Sequence, residues 1–377
     1  MRKVLLISEV FPPVHGGSGR WFWEIYRRFP PGSVEVCTDR HPEASESDDK
    51  FPHNINRTQL SSKEWGITSL EGLTFYLRIF RYLDKLCQSQ LIEQVHCGRI
   101  IPEGLPALLN KFRRGIPYTC YVHGEDVEVA RTSREITFLT KLVMRHAEKL
   151  IANSENTAEI LRARWGIDDQ LLVMTPGVDI NGFFPMGSTP RTRWRNKRVV
   201  LTVGRLQKRK GQDMMIRALP AIREKIPEIY YCVVGGGEEE KFLRALAESL
   251  DVEDIVEFSG ELNDTEMLEC YQQCDLFALP NRRINNDDEG FGMVLLEAES
   301  CGCPVLAGDS GGTRETMIPG ETGVIVDCTA PEPLARTIIQ LFSDIPALKK
   351  MGVAGRSLVE RRFSWDSLAS KAIDKLA

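Results

Sequence analysis

No apolar run in this 377-residue chain approaches the eighteen or so residues a helix needs to cross a bilayer, so no membrane-spanning segment is expected. The opening MRKVLLISEVFPP has an apolar run too short for a signal-peptide core, interrupted by Glu9, and is expected to stay in the mature protein. The ten cysteines are scattered. Cys270-x3-Cys274 and Cys301-x-Cys303 lack the second pair, or the histidines, that a zinc site requires, and read as thiols in a reducing compartment, which points to the cytoplasm. A surplus of basic charge is also missing. The formal net charge of -5 argues against a general nucleic-acid binder while leaving room for a local basic patch. No Asp-x-Asp falls on a plausible loop to hold a metal. GGGEEE, at 235 to 240, lacks both the G-x-G-x-x-G spacing and the ribose-binding acid of a dinucleotide site.

What remains is ample length for two domains of about 150 residues with full cores. Hydrophobic content of 42% and charged content of 27% are ordinary for a globular chain. Short apolar runs alternate with helical spacing in both halves. The first half predicts strands at Lys3 to Ser8, Val34 to Cys37, Gln94 to Cys97 and Tyr118 to Val122. A helix carries Trp21, Phe22, Ile25, Tyr26 and Phe29, with Arg20, Arg27 and Arg28 interleaved. It reads as a core helix with a wet basic side, or as one resting on an anionic bilayer. Residues 40–71 are polar and without period, which reads as a long loop and a candidate acceptor-side segment. The polar stretch 186–198 reads as a linker, and strands from Val199, Tyr230, Ile255, Leu276, Val305 and Thr322 follow. The alternation predicts an α/β architecture of two doubly wound Rossmann-like domains facing a cleft, 1–186 and 187–362, with a final helix at 363–377.

Three loops carry chemistry. DDEGFGMVLLEAESCGCPVLAGDSGG, residues 287–312, reads as loop, helix and strand. Glu289 and Glu297 stand eight positions apart, on either side of a glycine-bracketed turn whose backbone amides open a helix. Amides at a helix N-terminus hold phosphate, and each carboxylate accepts two hydrogen bonds from vicinal hydroxyls. A phosphate flanked by two such acids suits a nucleotide sugar. GRLQKRKG, residues 204–211, follows a strand and sets Arg205 five positions from Lys210, with Lys208 and Arg209 beside them. Without a metal, a leaving diphosphate needs fixed cations of this kind. The third loop follows the strand ending at Val122 and delivers His123 to the carboxyl end of a sheet, where ligands collect in open α/β folds. EVFPPVHGGSGR, after the first strand, offers close approach at Gly16 and Gly17, with Ser18 placed to cap the next helix.

The E-x7-E arrangement, SCGCPVLAGDSGG and ProAsnArgArg at 280–283 resemble the retaining family-4 glycosyltransferases of the GT-B fold, and among them the GDP-mannose-dependent phosphatidylinositol mannosyltransferases. The resemblance covers most of the chain. It implies that Gly16 and Gly17 close over the donor phosphates and that His123 meets the transferred sugar. It further implies that Gly204, Arg205 and Lys210 serve the leaving diphosphate and that Leu262 packs near the base. By the same likeness Glu289 and Gly290 hold sugar hydroxyls, Phe291, Gly292, Met293 and Val294 line the phosphates, and Glu297 takes the ribose. Asn153, Ser154 and residues 176–179 match crevice positions, and the last helix returns to brace the first domain.

The expectation is therefore a metal-independent, retaining hexosyltransferase with catalytic residues His123, Glu289, Arg205 and Lys210. GDP-mannose is the donor the resemblance favours, with UDP-sugars open. The acceptor is a lipid-linked or small hydroxylated molecule, with peripheral contact at the inner face of the membrane. A GT-B-fold epimerase, or a protein that binds nucleotide sugars without catalysis, would use the same clamp.

Overall fold

The computed structural model describes residues 2–14, 16–62, 64–187, 193–285 and 287–376. Part of the expected linker, residues 188–192, lies outside these. Contacts divide the chain into two units, Met1–Pro176 with Trp365–Ala377, and Gly177–Ser364. The boundary thus falls about ten residues before the expected 186. The cause lies in residues 177–183, which are built into the second unit: Val178 donates to the Phe363 carbonyl at 2.9 Å, and Val178 and Phe183 join that unit's core.

Among its described residues the first unit holds seven parallel strands: β1 (Val4–Ser8), β2 (Val34–Thr38), β3 (Asn54–Arg57), β4 (Gln94–Cys97), β5 (Tyr118–Val122), β6 (Lys149–Ala152) and β7 (Leu171–Val173). Their order is β3-β2-β1-β4-β5-β6-β7. Every residue of β1, β2, β4 and β5 is buried, the polar Glu35, Gln94 and His96 included, as strands covered by helices on both faces must be. The order reverses direction between β1 and β4, which opens a switch point at their carboxyl ends.

Residues 40–71 are not one loop. They contain the helix Ala44–Asp49 and the edge strand β3. An edge strand of sequence NINR, exposed or half-buried throughout, has no apolar alternation for a sequence reading to catch. The Trp/Arg helix spans Gly17–Tyr26. Trp21, Phe22, Ile25, Tyr26 and the following Phe29 are all buried in the first unit, so this stripe is core and cannot also rest on a bilayer. Arg27 and Arg28 pair with Glu24, and Arg28 also reaches Asp366 at 2.6 Å on the last helix, Trp365–Leu376. Ser18 is not the cap. Gly16 occupies that position, with no side-chain cap bond, and Ser18 lies inside the helix.

Among its described residues the second unit holds six parallel strands: β8 (Arg198–Val203), β9 (Ile229–Val234), β10 (Val256–Gly260), β11 (Leu276–Leu279), β12 (Val305–Gly308) and β13 (Gly323–Val326). Their order, β10-β9-β8-β11-β12-β13, places a second switch point between β8 and β11. Apolar clusters cover both faces of this sheet. The expectation of two doubly wound parallel α/β domains is met. No helix of the described residues is long and apolar enough to cross a membrane.

One acid is sealed into the second unit. Glu299, in the helix Met293–Ser300, is fully buried, and burial pushes its carboxyl well above the usual carboxylate range, with the Thr322 hydroxyl a partial counterweight. A raised folded pKa stabilises the fold most below the ordinary value of 4.5, and that contribution drains away as pH rises toward the folded value. Glu299→Gln removes the proton dependence. Its Tm at pH 7.5 should rise by roughly 2–4 °C, and the fall of Tm from pH 5 to 8 should flatten in a thermal-melt series.

Candidate active site

The second switch point is built from the loops that leave β8 and β11. After β8, Gly204 (φ 150) turns the chain and Lys208–Lys210 form a single 3-10 turn closed by Gly211. Gly211 has φ 78, and a Cβ there would lie 1.8 Å from the Pro280 carbonyl oxygen. Only glycine lets these two loops approach so closely. The contact is locked where the Arg282 amide donates to the Arg209 carbonyl at 2.8 Å. The Arg282 side chain in turn forks onto Asp213, both contacts at 2.8 Å.

This approach gathers the charges. Glu289 Oε2 lies 2.5 Å from Lys210 Nζ and 2.8 Å from Arg209 Nη1, while Arg209 Nε holds Asp287 at 3.1 Å. Glu289 is buried, which disfavours its ionised form, but the charges of Lys210 and then Arg209 outweigh burial and hold its carboxyl below the usual range. The carboxylate is therefore ionised at neutral pH. Sequence spacing singles out Arg205 and Lys210 in this loop, whereas the residue that joins Lys210 on Glu289 is their neighbour Arg209. A 3-10 turn rotates about 120° per residue, so adjacent side chains can converge on one partner when a second loop lies close, and spacing alone does not reveal which. Arg205 is exposed, and its side chain makes no hydrogen bond or ion pair among the described residues.

Beyond Glu289 the chain reaches the helix Met293–Ser300 through Gly292 (φ 91). Met293 and Val294 open that helix, where amides lack intrahelical partners and the helix dipole is positive. Phe291 is buried against Phe363 with ring centres 6.1 Å apart, so its side chain is core and only its main chain is left for a ligand. Glu297, also buried, accepts a hydrogen bond from Tyr271 at 2.7 Å, which orients its carboxylate. The Glu289 carbonyl accepts from the Gly312 amide at 2.9 Å, and Asn281 bridges the ends of β11 and β12 by accepting from the Gly308 amide at 3.0 Å and donating to the Ser310 carbonyl at 2.8 Å. Half-buried Leu262 follows β10 and packs against the core cluster on this face. Glu289, Lys210, Gly292, Met293, Val294 and Glu297 thus belong to one contiguous segment pair. Among the described residues no group of three or more His, Cys, Asp or Glu side chains is placed to hold a metal ion.

In the first unit, His123 follows β5. Its Nε2 lies 2.9 Å from the Gly98 carbonyl and its Nδ1 3.3 Å from Ser18 Oγ. A carbonyl only accepts, so Nε2 carries the proton and Nδ1 accepts from the Ser18 hydroxyl in the neutral ring. Trp21 and Phe22 meet the imidazole edge-on at 5.9 and 6.0 Å. The His123 amide donates to Asp126, whose carboxyl is raised by burial although His123 works against it, and Asn153 donates to the His123 carbonyl at 3.2 Å. Ser154 caps the helix that begins at Glu155 by accepting from the Thr157 amide. Gly16 precedes the helix bearing Ser18, and Gly17 opens it.

Residues 190–358 match the family model described as glycosyl transferases group 1, and residues 15–181 that of glycosyltransferase family 4. A GDP-mannose-dependent alpha-(1-6)-phosphatidylinositol monomannoside mannosyltransferase of Mycobacterium tuberculosis is 30% identical, across 100% of this chain and 98% of that protein. Its counterpart from Mycolicibacterium smegmatis is 32% identical across 99% and 98%. Among solved structures, HepE of Anabaena in complex with UDP and glucose superposes with a TM-score of 0.82 at 20% identity, covering 100% of this chain and 99% of that one. Sucrose-phosphate synthase from Thermosynechococcus elongatus gives 0.80 at 21%, over 98% and 97%. At such identities these two structures show a shared fold, that of the GT-B glycosyltransferases.

The cation cluster has a signature independent of catalysis. Lys210→Met leaves Glu289 buried with Arg209 alone, and should cost about 1–3 kcal/mol of unfolding free energy in urea titration. Adding Glu289→Gln should recover most of that loss, since it removes the undercompensated charge. Additive losses would mean that the two side chains do not couple.

Proposed function

We infer the reaction from one premise, that this chain belongs to the family-4 glycosyltransferases: it moves mannose from GDP-mannose to a hydroxyl of a phosphatidylinositol-type lipid acceptor. The donor and the acceptor class rest on relatives of 30% and 32% identity that align over nearly the whole chain. The observation that carries the chemistry is the Glu289 carboxylate held by Lys210 and Arg209 at the β8/β11 switch point, next to the amides that open the helix Met293–Ser300.

In this reading the leaving diphosphate is neutralised by Arg205, Lys210 and the amides of Met293 and Val294, with Gly204 and the Gly16-Gly17 loop allowing close approach, so that no metal is needed. Glu289 and Gly290 hold the sugar hydroxyls, Glu297 the ribose, and Leu262 the base. Arg209 keeps Glu289 ionised and so acts as a positioning residue. As the bond from the sugar's anomeric carbon to the diphosphate breaks, the electron pair stays on the departing oxygen. The cations and amides stabilise that charge where it develops, which lowers the barrier and not merely the ground state. The acceptor hydroxyl bonds to the same face, its proton passing to the leaving diphosphate, and configuration is retained. His123, fixed as the Nε2-protonated tautomer, meets the transferred sugar. In this reading the enzyme works in the cytoplasm and reaches a lipid acceptor by peripheral contact at the inner face of the membrane.

Glu289→Ala and Arg205→Ala should each lower kcat/KM for mannosyl transfer by at least ~100-fold, as loss of a group aimed at the transition state does. His123→Ala should lower kcat more than it weakens GDP binding, and equal losses would reduce His123 to a structural role. Calorimetry in EDTA should show tighter binding of GDP than of UDP or ADP. Preference for UDP would overturn the donor assignment, and binding that required added magnesium or manganese would overturn metal independence.

A further inference from the structure

Five of the ten cysteines, Cys232, Cys270, Cys274, Cys301 and Cys303, lie in or against one core cluster of the second unit. Two of them meet: Cys274 Sγ and Cys303 Sγ are 3.2 Å apart. Cys274 ends the helix Asp264–Gln273 and precedes β11, and Cys303 precedes β12. These strands are neighbours with Phe277 opposite Val305, and the Phe277 amide donates to the Pro304 carbonyl at 3.0 Å, which holds the two approaches side by side. A disulfide has an S–S distance of about 2.05 Å, so an approach of roughly 1 Å brings the sulfurs to bonding distance. Cys274 is partly exposed whereas Cys303 is buried.

We propose that Cys274 and Cys303 are a modification site, a dithiol that hydrogen peroxide converts to a disulfide. The Cys274 thiolate attacks one peroxide oxygen. The O–O bond breaks, and hydroxide leaves and is protonated to water, giving a sulfenic acid. Cys303 then attacks that sulfur. The S–S bond forms as the S–O bond breaks, and the hydroxyl departs with the Cys303 proton as a second water. Two thiols lose two electrons and peroxide gains them. Cys301, two residues from Cys303, is buried and its thiol is pushed up chiefly by burial, which keeps it out of the exchange. The loop closed by this bond, residues 274–303, contains Glu289, Gly292 and Glu297. Oxidation therefore pins both ends of that segment at the amino ends of β11 and β12 and restricts it in the unfolded chain.

The experiment treats the full chain with hydrogen peroxide, quenches it, and maps peptides without reduction. A 274–303 cross-link two hydrogens lighter than the dithiol is expected, with Tm raised by roughly 5 °C and restored by dithiothreitol. Cys274→Ser and Cys303→Ser should each abolish the shift, and in Cys303→Ser the sulfenic acid should be captured by dimedone at Cys274. Absence of the link in oxidised protein, or an equal Tm shift in Cys274→Ser, would overturn the proposal.

Discussion

A carboxylate with under a tenth of its surface exposed pays heavily to stay ionised, and Glu289 does so because two cations from one turn reach it. Taking an acid out of water costs several kcal/mol, which a single flexible lysine seldom recovers. Two cations, one a guanidinium that also grips Asp287, do recover it. The pairing demands that the loop after β8 lie directly against the loop after β11. That demand explains the absent Cβ at Gly211 and the main-chain bond from Arg282 to Arg209, and Asp213 anchors Arg282 from behind. The charge cluster and the backbone that brings it together are one construction.

The parallel sheet supplies the place for it. In a doubly wound sheet the connections from two adjacent strands leave toward opposite faces, and the gap between them is free of covering helix. β8 and β11 are that pair in the second unit, and the loops that follow them, Gly204 to Gly211 and the described residues 280–285 and 287–292, lead from their carboxyl ends. The helix Met293–Ser300 then begins a few residues along the chain from Glu289, whose carboxylate Lys210 and Arg209 hold, so no long loop separates its opening amides from that cluster. The mannosyl transfer proposed above draws on this combination, in which cations and amides can meet an anion beside acids that can order hydroxyls.

The first unit applies the same rule with different chemistry. Its switch point between β1 and β4 contributes the Gly98 carbonyl, and the neighbouring β5 contributes His123. One carbonyl and one serine hydroxyl fix which ring nitrogen bears the proton, and two aromatic edges fix the ring plane. Ser18, which local pattern assigned to capping, instead serves the histidine, because Gly16 already turns the chain into the helix.

Much of this was legible in the chain itself. Buried parallel strands write themselves as short runs rich in apolar residues bounded by turn signals, so most strand positions, the two-domain plan and the doubly wound class follow from pattern. Glu289, Lys210 and His123 stand out in the sequence as polar loop residues beside glycines, and the family likeness implies the roles proposed for them. The edge strand β3 was hidden because half-exposed strands need no apolar side chains, and the domain boundary was hidden because Val178 and Phe183 look like any loop hydrophobes. What only the folded chain decided is which groups meet: Arg209 on Glu289, Tyr271 on Glu297, Ser18 on His123, Cys274 against Cys303. Periodicity records the face a residue presents within its own element. Partners brought from 26 to 105 positions away are set by how strands pair and how closely loops approach, and these distances exist only in the tertiary structure.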